Sequence, residues 1–212
     1  LDDDSFILNG SGTMLFDGGD GVDSLEALVN DTNVWMPPTD FLFLRADLTE
    51  GEMGAVLEGE ILGSEQFFVS DTLVSIENIT YVTDLATQII GNSEDNELIS
   101  GGGDDYIDGG GGNNTLDGGS GNDTYFSDGR EPGYNYISDD YGYADTLEIF
   151  DTFGPDIFRF HVGQDNQIIE DLGLVLISTS GHQNFMRFSE DGSKSIEYLK
   201  MIADPERDAS IE

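Results

Sequence analysis

Large apolar residues recur at every ninth position along residues 91–126, GNSEDNELISGGGDDYIDGGGGNNTLDGGSGNDTYF. Leu98, Ile107, Leu116 and Tyr125 mark the period, in units that start at Gly91, Ser100, Gly109 and Gly118. Each unit divides into a six-residue turn and a three-residue strand, with the apolar residue in mid-strand at position eight, pointing inward. Position six reads Asn96, Asp105, Asn114, Asp123, and glycine fills positions two and four in every unit but the first, which has Asn92 and Glu94. A shorter copy lies at residues 1–26. There Ile7, Phe16 and Leu25 are nine apart, and Gly18-Gly19-Asp20-Gly21-Val22-Asp23 is a full match to the turn. The unit before it keeps its glycines but has Met14 where the acid belongs.

This pattern has a chemistry. Glycine permits positive φ, so backbone carbonyls can converge on one point. A carboxylate at position six adds charge, and a set of hard oxygens suits calcium, which takes six to eight of them. Two units make one coil of eighteen residues, so units i and i+2 stack at the spacing of neighbouring strands, roughly 4.7–4.9 Å. Asp105 and Asp123 then share one side, and Asn96 and Asn114 the other. Asparagine offers a neutral oxygen, so its side should bind calcium more weakly.

The array, with its GGxGxDxUx consensus, resembles the calcium-binding nonapeptide repeats of RTX (repeats-in-toxin) proteins. The resemblance implies an all-β fold: a parallel β-roll with flanking antiparallel strands and a C-terminal β cap. It also implies ions held between stacked turns, by carbonyls at positions one, two and four and the side chain at position six. The candidate metal residues are therefore Gly18, Gly19, Gly21 and Asp23 in the first segment. In the main array they are Asn96; Gly101, Gly103 and Asp105; Gly109, Gly110, Gly112 and Asn114; and Gly118, Gly119, Gly121 and Asp123. Only residues 18–23 and 100–123 carry highly specific motifs.

The remaining chain sorts around this array. Residues 27–68 break the period and form an insert: Pro37-Pro38 marks a loop, Phe41 to Leu48 reads as a strand, and Glu50 to Leu62 is ambiguous, with further strands beside the roll favoured. The insert takes the place of the unit that would complete the Asp23 site, so that site's partners are not named by the sequence. Residues 69–132 hold the main array. Its lead-in, Asp71-Thr72-Leu73 and Ile76 to Tyr81, resembles a metal-free coil on the same stack. Beyond Tyr125 the register slips by small insertions, with Asn135 and Asp145 again at position six. Asp128, Asp139 and Asp140 are weaker candidates for end sites. Residues 133–203 resemble the region that often follows such arrays. Between 147 and 203 the chain reads as antiparallel hairpins ending in a strand or short helix at Ser195 to Met201, and 204–212 form a tail. A stack of repeats needs such a cap to close its end.

Composition narrows the function. With 44 acidic and 7 basic residues, the net charge of −37 disfavours nucleic acid and anionic membrane as partners and opposes collapse until cations neutralise it. There is no cysteine, so disulfides are not the staple and calcium can take that role. No apolar run approaches a membrane span. His161 and His182 supply no HExxH zinc motif and read as ordinary strand and turn residues. No nucleophile elbow or phosphate loop is present, so the chain reads as non-enzymatic. Asp204-Pro205 is of the type some RTX-associated modules cleave with calcium, but an isolated Asp-Pro is far more often inert. The chain begins without Met and reads as part of a larger parent chain, secreted or at the bacterial cell surface through type I export. It would fold on meeting extracellular Ca2+. Two alternatives stand beside this. One is an adhesin or polysaccharide-binding module using exposed aromatics such as Trp35, Phe67 and Phe68, with a polysaccharide or cell-surface ligand as partner. The other is an accessory domain of a secreted enzyme.

Overall fold

The computed structural model describes residues 2–8, 13–28, 41–58, 65–128, 133–137, 141–142, 144–151, 159–161, 174–178, 182–187 and 198–203. Among them every regular element is a strand. One nine-stranded sheet takes β1 (Ser5–Leu8), β3 (Ser24–Leu28), β7 (Asn78–Val82), β9 (Glu97–Ile99), β11 (Gly112–Asp117) and β14 (Gly133–Ile137) in that spatial order. It continues with β19 (His182–Arg187), β18 (Leu174–Ser178) and β17 (Arg159–His161). The second nine-stranded sheet runs β2 (Leu15–Asp17), β6 (Glu65–Val74), β5 (Glu52–Glu58), β4 (Phe41–Asp47), β8 (Thr87–Ile90), β10 (Tyr106–Asp108), β13 (Thr124–Asp128), β16 (Thr146–Asp151) and β20 (Tyr198–Ala203). Two short strands, β12 (Ser120–Gly121) and β15 (Tyr141–Gly142), pair between turns. From β6 to β16 the chain alternates between the two large sheets, apart from these short strands.

The stacking follows the sequence period. Leu98 lies beside Leu116, and Ile107 beside Tyr125, in parallel ladders. Glycine turns allow the chain to reverse within six residues, and the mid-strand side chain faces inward because alternate residues of a strand face opposite sides. The core is thus two facing columns, one side chain deep on each sheet. Leu25, Ile79, Leu98, Leu116 and Ile137 line one side; Ile89, Ile107, Tyr125 and Leu147 line the other. All are at most 1% exposed.

Two expectations need correction. Ile7 is 61% exposed: Phe6, not Ile7, stands beside Leu25. The first coil is one residue longer than the nine-residue count allows, and a one-residue shift turns every strand side chain to the other face. Phe6 instead packs edge-on against Phe16, with ring centroids 5.7 Å apart. The insert's strands are also not beside the stack but spliced into the second sheet. β6 pairs in parallel with β2, β5 runs antiparallel to both β6 and β4, and β4 pairs in parallel with β8. The β4–β5 turn is closed by Asp47, whose carboxylate accepts from the Thr49 and Glu50 amides and from Arg45.

At the C-terminal end β17, β18 and β19 are antiparallel neighbours, as the hairpin pattern predicts. β19 and β20 add in parallel to β14 and β16, and the last segment is a strand. His161 ends β17, whereas His182 opens β19 rather than lying in a turn. Trp35, Pro37-Pro38, the glycine turn at 9–12, Asp139, Asp140 and Asp204-Pro205 lie outside the described residues, as do the side chains of Phe67 and Phe68.

Candidate metal centre

The glycine turns stack as closely as backbone allows. Gly119 (φ +81°) rests against the Gly101 carbonyl and Gly121 (φ +143°) against the Gly103 carbonyl. A Cβ at either would collide with that oxygen, and both conformations are ones that L side chains rarely adopt. The 118–123 turn therefore seats on the 100–105 turn. In the same way Gly110 and Gly112 face the carbonyls of Asn92 and Glu94, which seats 109–114 on 91–96. Gly101 and Gly103 lie over residues 81–86, and Gly109 faces the side chains of Asn114 and Asn135. Gly18 lies against Asp23 and the Ser75 carbonyl; Gly21 faces Asp2 and Asp3; Gly19 has open space around it.

Position six forms a ladder along each edge. Beside the second sheet the Thr87 amide donates to Asp105 Oδ1 at 2.6 Å. The Asp105 amide donates to Asp123 Oδ1, and the Asp123 amide to Asp145 Oδ1, both at 2.9 Å. One carboxylate oxygen of each acid is thereby used to hold the coil before it. The second oxygens, Oδ2 of Asp105 and of Asp123, are buried with no hydrogen-bond partner. Burial pushes the Asp105 carboxyl up to about 6 and the Asp123 carboxyl up to about 7, against the backbone hydrogen bond that each accepts.

Beside the first sheet the same position reads Asp4, Asp23, Glu77, Asn96, Asn114 and Asn135. Here the amides complete one another. Asn96 donates its backbone amide to Asn114 Oδ1 and its Nδ2 to the Glu77 carbonyl. Asn114 Nδ2 donates to the Gly111 carbonyl and to Asn135 Oδ1. From residue 96 onward the two edges thus differ in kind: one ends in unpartnered anionic oxygens, the other in amide groups that satisfy themselves. Asp23 belongs to the first kind. It is fully buried, its Oδ1 accepts from the Asp4 amide at 2.6 Å, and its Oδ2 has no partner.

A buried anionic oxygen without a partner is costly. Stacked glycine turns with carbonyls and orphaned carboxylate oxygens are a hard-oxygen donor set, which fits calcium. Among the described residues no three acidic or histidine side chains converge. In such a set each turn contributes one carboxylate and the backbone the rest, so a side-chain cluster is not needed.

Sequence reasoning missed several supporting groups. Ser100 Oγ donates to the Gly118 carbonyl, and the Gly118 amide donates to Tyr125 Oη at 2.6 Å. Ser100 is the one residue of the four unit starts that is not glycine, which was the available signal. Position five forms an outer ladder too: Asp95 Oδ1 accepts from the Asn113 amide and Asp104 Oδ1 from the Asn122 amide.

Comparison with known families gives a match over residues 90–125, as four copies of the RTX calcium-binding nonapeptide repeat. A search of curated proteins gives no match to the chain. The stacked turns, the orphaned acids and the family match agree, and the chain carries RTX calcium-binding nonapeptide repeats over residues 90–125.

Proposed function

We propose that the chain is a non-enzymatic, calcium-gated folding module: a β-roll closed by C-terminal strands, within a larger secreted parent protein of type I export. The observation that carries this is the pair of buried, unpartnered Oδ2 atoms on Asp105 and Asp123, seated between glycine turns of a calcium-binding repeat. Calcium bound there supplies the positive charge that these oxygens lack. Asp105, Asp123 and the carbonyls of the 100–105 and 118–123 turns hold it. The residues of the Asn96 and Asn114 edge hold their turns together by amide hydrogen bonds and bind calcium more weakly. Self-repulsion from a net charge of −37 keeps the calcium-free chain open, and binding to the folded form alone adds stability by mass action. The expected affinity is that of extracellular calcium modules, about 10⁻⁴–10⁻³ M.

The test is a calcium titration of chelator-treated protein followed by far-UV circular dichroism, with magnesium as control. A cooperative gain of β signal with calcium alone supports the reading. A chain already fully folded in chelator and indifferent to calcium contradicts it.

A further inference from the structure

Gly118 opens the fourth unit, and side-chain hydroxyls hold its backbone on both sides. Ser100 Oγ donates to its carbonyl at 2.9 Å, and its amide donates to Tyr125 Oη at 2.6 Å. At the first two units the corresponding amide goes to backbone instead. Gly91 donates to the Asp108 carbonyl and Ser100 to the Asp117 carbonyl, each on the next coil of its sheet. Ser100 is the one unit start that is not glycine, and Tyr125 is the one mid-strand residue of the array with a hydroxyl. These two departures from the period meet at a single glycine, and both residues are 0% exposed.

The same glycine adjoins a bare anionic oxygen. A Cβ built on Gly118 would meet Asp123 Oδ2 and Tyr125 Oη together, so the phenol stands near the carboxylate oxygen that has no hydrogen-bond partner. Ser100 belongs to the 100–105 turn and Gly118 to the 118–123 turn, so the Ser100 bond also sets the separation of those turns. A carbonyl oxygen has two lone pairs, and that of Gly118 can accept from Ser100 and still face a cation. How well a site discriminates between cations depends on its size and rigidity, and rigidity comes from groups that lock the donors before the ion arrives.

We propose that Tyr125 and Ser100 are the positioning and specificity-determining residues for the ion held between the 100–105 and 118–123 turns. Their hydroxyls fix Gly118 from both sides, set the gap that Asp123 Oδ2 closes on, and tie it to the core through the Tyr125 ring. This rests on the calcium reading of the chain and deepens it, and neither hydroxyl is itself a donor to the ion. Leucine or isoleucine at position 125 would fill the column but offer the Gly118 amide no acceptor.

The experiment resolves ion affinities on the full-length chain by native mass spectrometry and calorimetry, with calcium and with strontium, the larger ion. The ion in question is the one lost in Asp123→Asn. Tyr125→Phe keeps the ring and removes the hydroxyl, leaving a buried amide unpaired. It is expected to weaken that ion about tenfold relative to the others and to lower its preference for calcium over strontium. Ile107→Val is the control: it trims the same column, touches neither hydroxyl, and should shift all ions together with the calcium-to-strontium ratio unchanged. A Tyr125→Phe chain that behaves like Ile107→Val, or like the unsubstituted chain, makes Tyr125 a core residue only and overturns the proposal while the calcium reading stands. An unsubstituted chain that binds no calcium overturns both. Should Tyr125→Phe not fold, Ser100→Ala decides, since it removes one small hydroxyl. It is expected to weaken the same ion and lower the same ratio, and an unchanged affinity and ratio there sink the proposal.

Discussion

Asp105 and Asp123 work in two directions at once. One oxygen of each accepts a backbone amide from the preceding coil, and the other is left buried and bare. Their raised pKa values, about 6 and about 7, lie above the ordinary unfolded value near 4. In the calcium-free chain their contribution to folding is therefore fully present below about pH 4 and is lost as pH rises through 6 to 7. Calcium must displace the protons these groups still hold, so its affinity falls as pH drops through the same window. In chelator the far-UV circular dichroism should show more β signal at pH 4.5 than at pH 7.5, with a smaller difference in Asp123→Asn; an equal difference would detach the effect from Asp123. The opposite edge offers the converse experiment. Asn114→Asp puts an anion against the Gly111 carbonyl and Asn135 Oδ1, which now accept from Nδ2. It should weaken the metal-free fold by about 1–3 kcal/mol while raising calcium affinity, as read by urea midpoints at low and at saturating calcium beside calorimetry.

At the scale of strands, each three-residue segment contributes one fully buried side chain to a core that is a single residue deep on each sheet. That layer has no redundancy. Ile107 lies between Ile89 and Tyr125 in its ladder, and Ile107→Ala should cost about 2–5 kcal/mol. Under the proposed linkage of folding to binding, the same variant should need more calcium to fold, though Ile107 is itself no donor. A calcium midpoint unmoved by that substitution would mean that the core and the turns are not one cooperative unit. The β4–β5 hairpin shows how tolerant the stack is along its axis. Two antiparallel strands enter the second sheet between β6 and β8, and the parallel ladder resumes on β8. Parallel and antiparallel pairing share nearly the same strand spacing, so the ladder continues across the change of direction.

For the whole molecule, charge sets the conditions under which any of this occurs. A net −37 repels itself at every separation within a Debye length, about 8 Å at physiological salt and about 3 Å at 1 M. Sodium chloride should therefore compact the chelated chain without ordering it, because monovalent screening does not fill the orphaned oxygens. Scattering should show a smaller radius at 1 M salt while circular dichroism stays unchanged; β signal induced by salt alone would make screening, rather than site binding, the trigger. Calcium adds about 1.4 kcal/mol per site when its concentration is ten times Kd, so several sites together can decide whether a marginal fold forms.

The nine-residue period by itself determined the all-β class, the parallel stacking of units eighteen apart, the inward column of Leu98, Ile107, Leu116 and Tyr125, and the division of Asp and Asn between two edges. These are local consequences of glycine turns and mid-strand apolar residues, repeated often enough to be unambiguous. The tertiary structure decided what depends on register between distant segments. It packed Phe6 rather than Ile7 against the core, because one extra residue in a turn reverses the facing of a whole strand. It set the hairpin of residues 41–58 into the second sheet, since open strand edges can be paired by any chain that reaches them. It made the Asn edge self-satisfying, which depends on where Nδ2 finds an acceptor. It also brought Ser75 and Glu77 opposite Asp23, a pairing across 54 residues that no local pattern encodes, because only the closed stack brings those two turns together.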